Sequence, residues 1–207
     1  MCEDVDSWIK DEEEFIKECY KQSDFKYFKE NAEILISHGI GHYKKMFESD
    51  MAHNDHIYHS YLNIAVGCEL LLKSIYLKNG YAINQTKNRG IIKFNDDVKD
   101  VLVKVRMHSF YTLINSAKTT VFSDLGISEG EAGKIENVFR LIKLKRNNLV
   151  HAGKKHFDHY KYAECIGKMI LLLYNNAFSE EERNETFCSD VDSFIHLHPR
   201  LIPCGLV

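Results

Sequence analysis

Apolar residues recur every three or four positions along most of this chain, the spacing of helices that bury one face. Between residues 5 and 48 they fall into two stretches. The first holds Trp8, Ile9, Phe15, Ile16, Cys19 and Tyr20; the second holds Phe28, Ala32, Leu35, Ile36, Tyr43 and Phe47. Gly39 and Gly41 interrupt the second stretch and predict a local break, since glycine costs about 1 kcal/mol in a helix interior. Over 56–79, Leu62, Ile64, Ala65, Val66, Leu70, Leu71, Leu72, Ile75 and Leu77 surround nearly the whole circumference, which marks a central helix. Gly80 predicts its stop. A polar connection follows over 80–96, and the helical pattern resumes over 97–117. After a turn predicted at SDLG (123–126), Ser128 and Glu131 have the spacing of a capping box. The helix they open carries Ile135, Val138, Phe139 and Ile142 on one stripe. A last long helix is predicted after Asp158, through Tyr162, Cys165, Ile166, Met169, Ile170, Leu173 and Ala177. Beyond Phe178 the acidic SEEERNE segment and the proline-containing end read as a loosely attached tail.

The expected architecture is an all-α, up-and-down bundle of four to six helices. An acidic helical extension occupies 1–24, the bundle 25–178 and the C-terminal tail 179–207. Composition agrees: 44% of residues are hydrophobic, enough for a core, and the two prolines are Pro199 and Pro203. No apolar run approaches the ~20 residues that span a bilayer, so no membrane association is expected. The acidic N-terminus lacks the basic region of a signal peptide. Six cysteines without a CxxC pair suit reduced thiols in a cytoplasmic protein.

The net charge is -3, which argues against a general nucleic-acid binder, but the charge is segregated. Residues 3–14 hold seven acids, whereas 137–157 hold six bases (Arg140, Lys143, Lys145, Arg146, Lys154 and Lys155) and no acid. Such a local field can hold phosphate on an acidic protein, and it also suits a solvated helix face.

Within that basic segment the sequence reads RNNLVH over 146–151. At about 100° per residue, with Ile135 as origin, Phe139 falls near 40°, Ile142 near -20° and Arg146 near 20°. Arg146 therefore stands in the core-facing stripe, with Leu149 and Val150 flanking it. A lone arginine buried there would be costly, so it should face a cleft, an acidic partner or another subunit. Asn147 and His151 share a face as i,i+4 neighbours. His151 falls near 160° on a straight helix, away from Arg146, and Gly153 predicts a helix end close by.

Arg146-Asn147…His151 resembles the R-x4-6-H motif of the HEPN domains (higher eukaryotes and prokaryotes nucleotide-binding). AVGCELLLKSIYL (65–77), with Glu69 inside an apolar run, is similar to the second helix of that fold. MHSFYTLI (107–114) is similar to a short stretch that many members carry between these helices. The resemblance covers roughly 25–178. It implies a bundle that dimerises and, in catalytic members, a shared metal-independent ribonuclease site. It also implies a toxin–antitoxin or antiviral setting, RNA as substrate, a possible antitoxin or regulatory partner, and no cofactor. The residue types suit the attack of a 2′-hydroxyl on its own phosphate. His151 can move a proton in either direction, Arg146 can hold the phosphate, and Asn147 can orient either. Glu69 would position Arg146, and Lys143, Lys145, Lys154 and Lys155 would draw in the strand. One subgroup carries a tyrosine two residues after the histidine, which a partner nucleotidyltransferase modifies; Gly153 stands there in this chain. Plainer readings stay open: an Arg146–Glu69 structural bridge, a C-terminal helix-dipole role for His151, and a Glu69–Lys73 i,i+4 pair. Other family members bind nucleotide, RNA or protein without cleaving.

His53, His56 and His59 with Asp55 recur every three residues, and His38 and His42 stand four apart. A divalent site is conceivable in the first group, although histidines at an exposed helix start are the commoner case.

Overall fold

The stretch predicted to be apolar all round is the centre of the molecule. A computed structural model describes residues 5–18, 24–46, 53–85, 90–93, 106–152 and 160–197. In chain order the helices are α1 (Val5–Glu18), α2 (Phe25–Lys45), α3 (His53–Lys78), α4 (Phe110–Ala117), α5 (Val121–Asp124), α6 (Glu129–Ala152), α7 (Tyr160–Ala177) and α8 (Glu185–Ile195). A 3-10 turn at Glu180–Glu182 precedes α8. Among the described residues there is no strand, only isolated bridges between Tyr81 and Lys93 and between Asn84 and Met107. The all-helical bundle is borne out, with more helices than the four to six expected. Of the helix predicted over 97–117, residues 97–105 lie outside the described residues. Residues 106–109 are not helical, and the helix starts at Phe110, where Ser109 Oγ accepts from the Thr112 amide at 3.2 Å.

On α3, Ile57, Tyr61, Ile64, Ala65, Cys68, Leu71, Leu72, Ile75, Tyr76 and Leu77 are all buried. Gly80 ends the helix as predicted. At φ 77° it lets the Tyr81 amide reach the Tyr76 carbonyl and its own amide reach Leu77, each at 2.9 Å.

The break predicted at Gly39 does not occur; α2 runs unbroken from Phe25 to Lys45. The glycine serves packing instead. A Cβ on Gly39 would lie 2.6 Å from Ile64 Cγ1 and 2.9 Å from the Ile64 amide nitrogen. Reciprocally, a Cβ on Gly67 would lie 2.6 Å from Ile36 Cγ1 and 3.0 Å from its amide nitrogen. The two helices approach backbone to backbone through these glycines, and the packing outweighs the helix propensity that glycine forfeits. Gly41, two residues on, would meet nothing within 4 Å. Gly39→Ala should therefore destabilise by about 1–3 kcal/mol through overpacking. Gly41→Ala should stabilise by about 0.5–1 kcal/mol through propensity alone. Urea unfolding of the two variants checks both signs at once; shifts in the same direction would contradict the packing account.

The reading of 179–207 as a loosely attached tail is corrected for its first part. α8 packs on α7 and α2, and Phe187, Val191 and Phe194 are buried. Asn184 caps α8, its Oδ1 accepting from the Phe187 amide at 3.2 Å. The acidic SEEERNE segment hid an amphipathic helix of three apolar anchors behind its charges. Residues 198–207 lie outside the described residues.

α1 forms where the acidic extension was expected. Trp8 and Ile9 on it are exposed, at 59% and 53%.

Candidate functional site

The capping box that opens α6 forms as predicted. The Ser128 amide donates to Glu131 Oε2 at 3.2 Å, and the Glu131 amide donates to Ser128 Oγ at 3.3 Å. The Ser128 hydroxyl, which donates to Glu131 Oε2 at 2.5 Å, and then the Ser128 amide hold the Glu131 carboxyl below its ordinary range. From this start the helix turns Ala132, Ile135, Phe139, Ile142 and Leu149 inward, all buried.

Arg146 stands on that inward line and is half-buried. Its Nε is buried without a hydrogen-bond partner among the described residues. The acid that would have balanced it is engaged elsewhere: Lys73 Nζ lies 2.9 Å from Glu69 Oε1 on the same helix. No ion pair joins Arg146 to Glu69 among the described residues, so the role of Glu69 in positioning Arg146 finds no contact to support it. The Glu69–Lys73 i,i+4 alternative is the one that forms.

α6 continues to Ala152, so Arg146 and His151 leave one helix about 140° apart. Of His151 the backbone alone is described. Gly153, Lys154 and Lys155 lie outside the described residues. Around the helix, the flank between Arg146 and His151 is filled in turn by Val150, Lys143, Asn147 and Arg140, at about 60°, 80°, 120° and 140°. Val150, expected beside the core line, is 44% exposed. Lys143 Nζ sits 4.0 Å from the centroid of the Tyr111 ring on α4. Arg140 donates to Asn115 Oδ1 at 3.1 Å and pairs with Glu136 at 2.6 Å. Asn147 is half-buried. Lys145 falls near -80°, on the opposite flank from Lys143, so the two lysines predicted to act together do not form one strip. Beyond His151, near 180°, Leu144 is 58% exposed, with Leu141 at 38% on the same outer side.

The arrangement is an open helix flank that borders α4. A surface groove of about 590 Å³, lined by Leu171, Asn175, Arg183 and Asp192 among others, lies between α7 and α8 and includes none of these residues.

His108, within the MHSFYTLI stretch, is buried, and burial holds its imidazole below the ordinary histidine value. The unfolded chain then binds the proton more readily. The stability His108 contributes is complete above its unfolded pKa of about 6.5 and is lost as pH falls below that value. The thermal midpoint should drop between pH 7.5 and 5.5, less steeply in His108→Gln; equal slopes would remove His108 from that account.

Sequence reasoning missed two arrangements. One is a buried polar knot of Lys29, Glu33, Tyr174 and Asn184. The other is the meeting of His42 with His56 and His59 from the two separate histidine groups. Among the described residues, no three of His, Cys, Asp and Glu converge on one ion position, and the side chain of His53 lies outside them. No helix among the described residues is long and apolar enough to cross a membrane. No protein-family model, no curated protein and no solved structure matches this chain.

Proposed function

We propose that this protein is a metal-independent endoribonuclease of the HEPN type, cutting RNA at a site that two copies of the chain build together. A toxin or antiviral defence effector is the setting that the resemblance of RNNLVH implies. The observation that carries the reading is Arg146: a cation on the core stripe, its Nε buried and without a hydrogen-bond partner among the described residues, with Glu69, the acid expected to position it, paired to Lys73. A protein keeps such a group at a cost of stability, and a phosphate that accepts from its fork offsets that cost.

Arg146 holds the scissile phosphate and the charge that develops on it. His151 takes the 2′-hydroxyl proton or supplies one to the leaving 5′-oxygen. Asn147, between them on the flank, orients either group. The 140° between Arg146 and His151 on one helix supports a site in which the two roles come from different subunits. The exposed Leu141 and Leu144 on the His151 side offer apolar surface for a second copy to cover.

A second reading is favoured by the same angular separation: a helical module that binds nucleotide, RNA or a protein partner through Arg146 and Lys143 and cleaves nothing. Structured RNA incubated with the protein in EDTA separates the two. Products ending in 2′,3′-cyclic or 3′-phosphate support the nuclease. Intact RNA that is nevertheless bound supports the module.

A further inference from the structure

α2 and α3 pack against each other in antiparallel directions, with Gly39 on Ile64 and Gly67 on Ile36. His42 lies three residues before the end of α2 and His56 three residues after the start of α3, so an antiparallel pair sets them level. Their Nδ1 atoms are 3.0 Å apart. The His59 ring, one turn further along α3, lies with its centroid 5.1 Å from that of His42, and the His56 centroid lies at 5.2 Å. At 3.0 Å only one of the two Nδ1 atoms can carry a hydrogen, so the pair shares a single proton between two lone pairs. A metal ion occupies the same kind of position. Two imidazoles on a tetrahedral ion with bonds of about 2.0–2.1 Å place their nitrogens about 3.3 Å apart, which requires a movement of only a few tenths of an ångström.

We propose that His42 and His56 hold one divalent ion of the zinc, nickel or copper class across the α2–α3 hairpin, with His59 turning in as a third ligand. His59 is exposed, so its ring has room to rotate, and water fills the remaining positions. An all-imidazole donor set selects borderline transition metals over magnesium or calcium, which require oxygen ligands. The charged neighbours set the strength. On α2, Lys45 adds positive charge; on α3, the exposed Asp55 adds a negative one. The positive charge of Lys45 weakens the affinity. The ion would brace the connected end of the hairpin, away from the glycine crossing at Gly39 and Gly67. This inference does not rest on the nuclease reading, because none of its residues lies on α6.

The test is titration of the metal-stripped full chain with zinc chloride by calorimetry, with thermal melts in parallel. The expected result is one equivalent bound and a raised melting temperature, with no response to magnesium. His42→Ala and His56→Ala should each weaken binding by more than the roughly tenfold that changes around a ligand cost. His38→Ala should bind as the natural chain does. Melts without zinc establish that the variants fold, and His42→Asn, which keeps a polar side chain, replaces His42→Ala if that variant does not. No uptake at millimolar zinc, or uptake unchanged in both the His42 and His56 variants, would overturn the site.

Discussion

Replacing Glu33 by alanine is expected to cost about 3–5 kcal/mol of folding stability, the penalty for stranding a buried charge. Glu33 is 5% exposed and Lys29, one turn before it on α2, is 8% exposed. Lys29 Nζ lies 2.6 Å from Glu33 Oε1. The Tyr174 hydroxyl donates to the same oxygen, and Asn184 Nδ2 donates to Oε2 at 3.3 Å. The Asn184 amide in turn donates to the Tyr174 hydroxyl at 3.0 Å. The carboxylate thus ties α2 to α7 and to the cap of α8. Burial first, then the bond to Glu33, push the Tyr174 phenol well above its ordinary range, so it stays a donor. Without Glu33, the Lys29 ammonium lies over the faces of Tyr174 and Phe178, each 5.5 Å from ring centroid to Nζ, with no other ion pair among the described residues. Two aromatic faces do not balance a buried charge. The double variant Lys29→Met/Glu33→Leu should recover most of the loss, because it removes both charges rather than one. Urea midpoints of the three proteins test this. A Glu33→Ala variant within about 0.5 kcal/mol of the natural chain would show that the knot contributes little.

The second large effect concerns activity. Arg146→Ala should lower RNA cleavage by about 10²–10³-fold, the loss that follows removal of a donor to a developing oxyanion. His151→Ala should lower it by about 10²–10⁴-fold. Arg146→Lys should not restore cleavage, since an ammonium cannot reproduce the planar fork. Stability should move the other way. Arg146→Leu continues the stripe of Ile135, Phe139, Ile142 and Leu149 and removes the unpartnered buried Nε, so its melting temperature should equal or exceed that of the natural chain. A variant more stable and less active identifies a residue kept for chemistry. A large loss of stability in Arg146→Leu would mean that the arginine is structural.

Much of this was legible in the sequence, for reasons that differ from residue to residue. α3, α6 and α7 follow from period and punctuation: an apolar circumference closed by Gly80, and a Ser128–Glu131 box before a stripe. The place of Arg146 on the core line follows from counting alone. What failed were inferences in which local chemistry competes with distant partners. Gly39 reads as a helix breaker until Ile64 is known to lie against it. Glu69 reads as the partner of Arg146 until Lys73, four residues on, takes it. SEEERNE reads as solvated tail because its charges mask Phe187, Val191 and Phe194. The meeting of His42 and His56 was legible in principle from their equal distances to the ends of two consecutive helices.

The central claim is that Arg146 of one copy works with His151 of the other, and mixing two inactive variants tests it most directly. Arg146→Ala and His151→Ala are each purified, then unfolded and refolded together in equal amounts so that subunits exchange. A two-fold dimer of mixed composition contains one site with both natural residues and one with neither. Half of the dimers are mixed, so cleavage should return to about a quarter of the natural rate, from a level near zero in either variant alone. A mixture of folded dimers that stays as inactive as its parents would contradict the shared site.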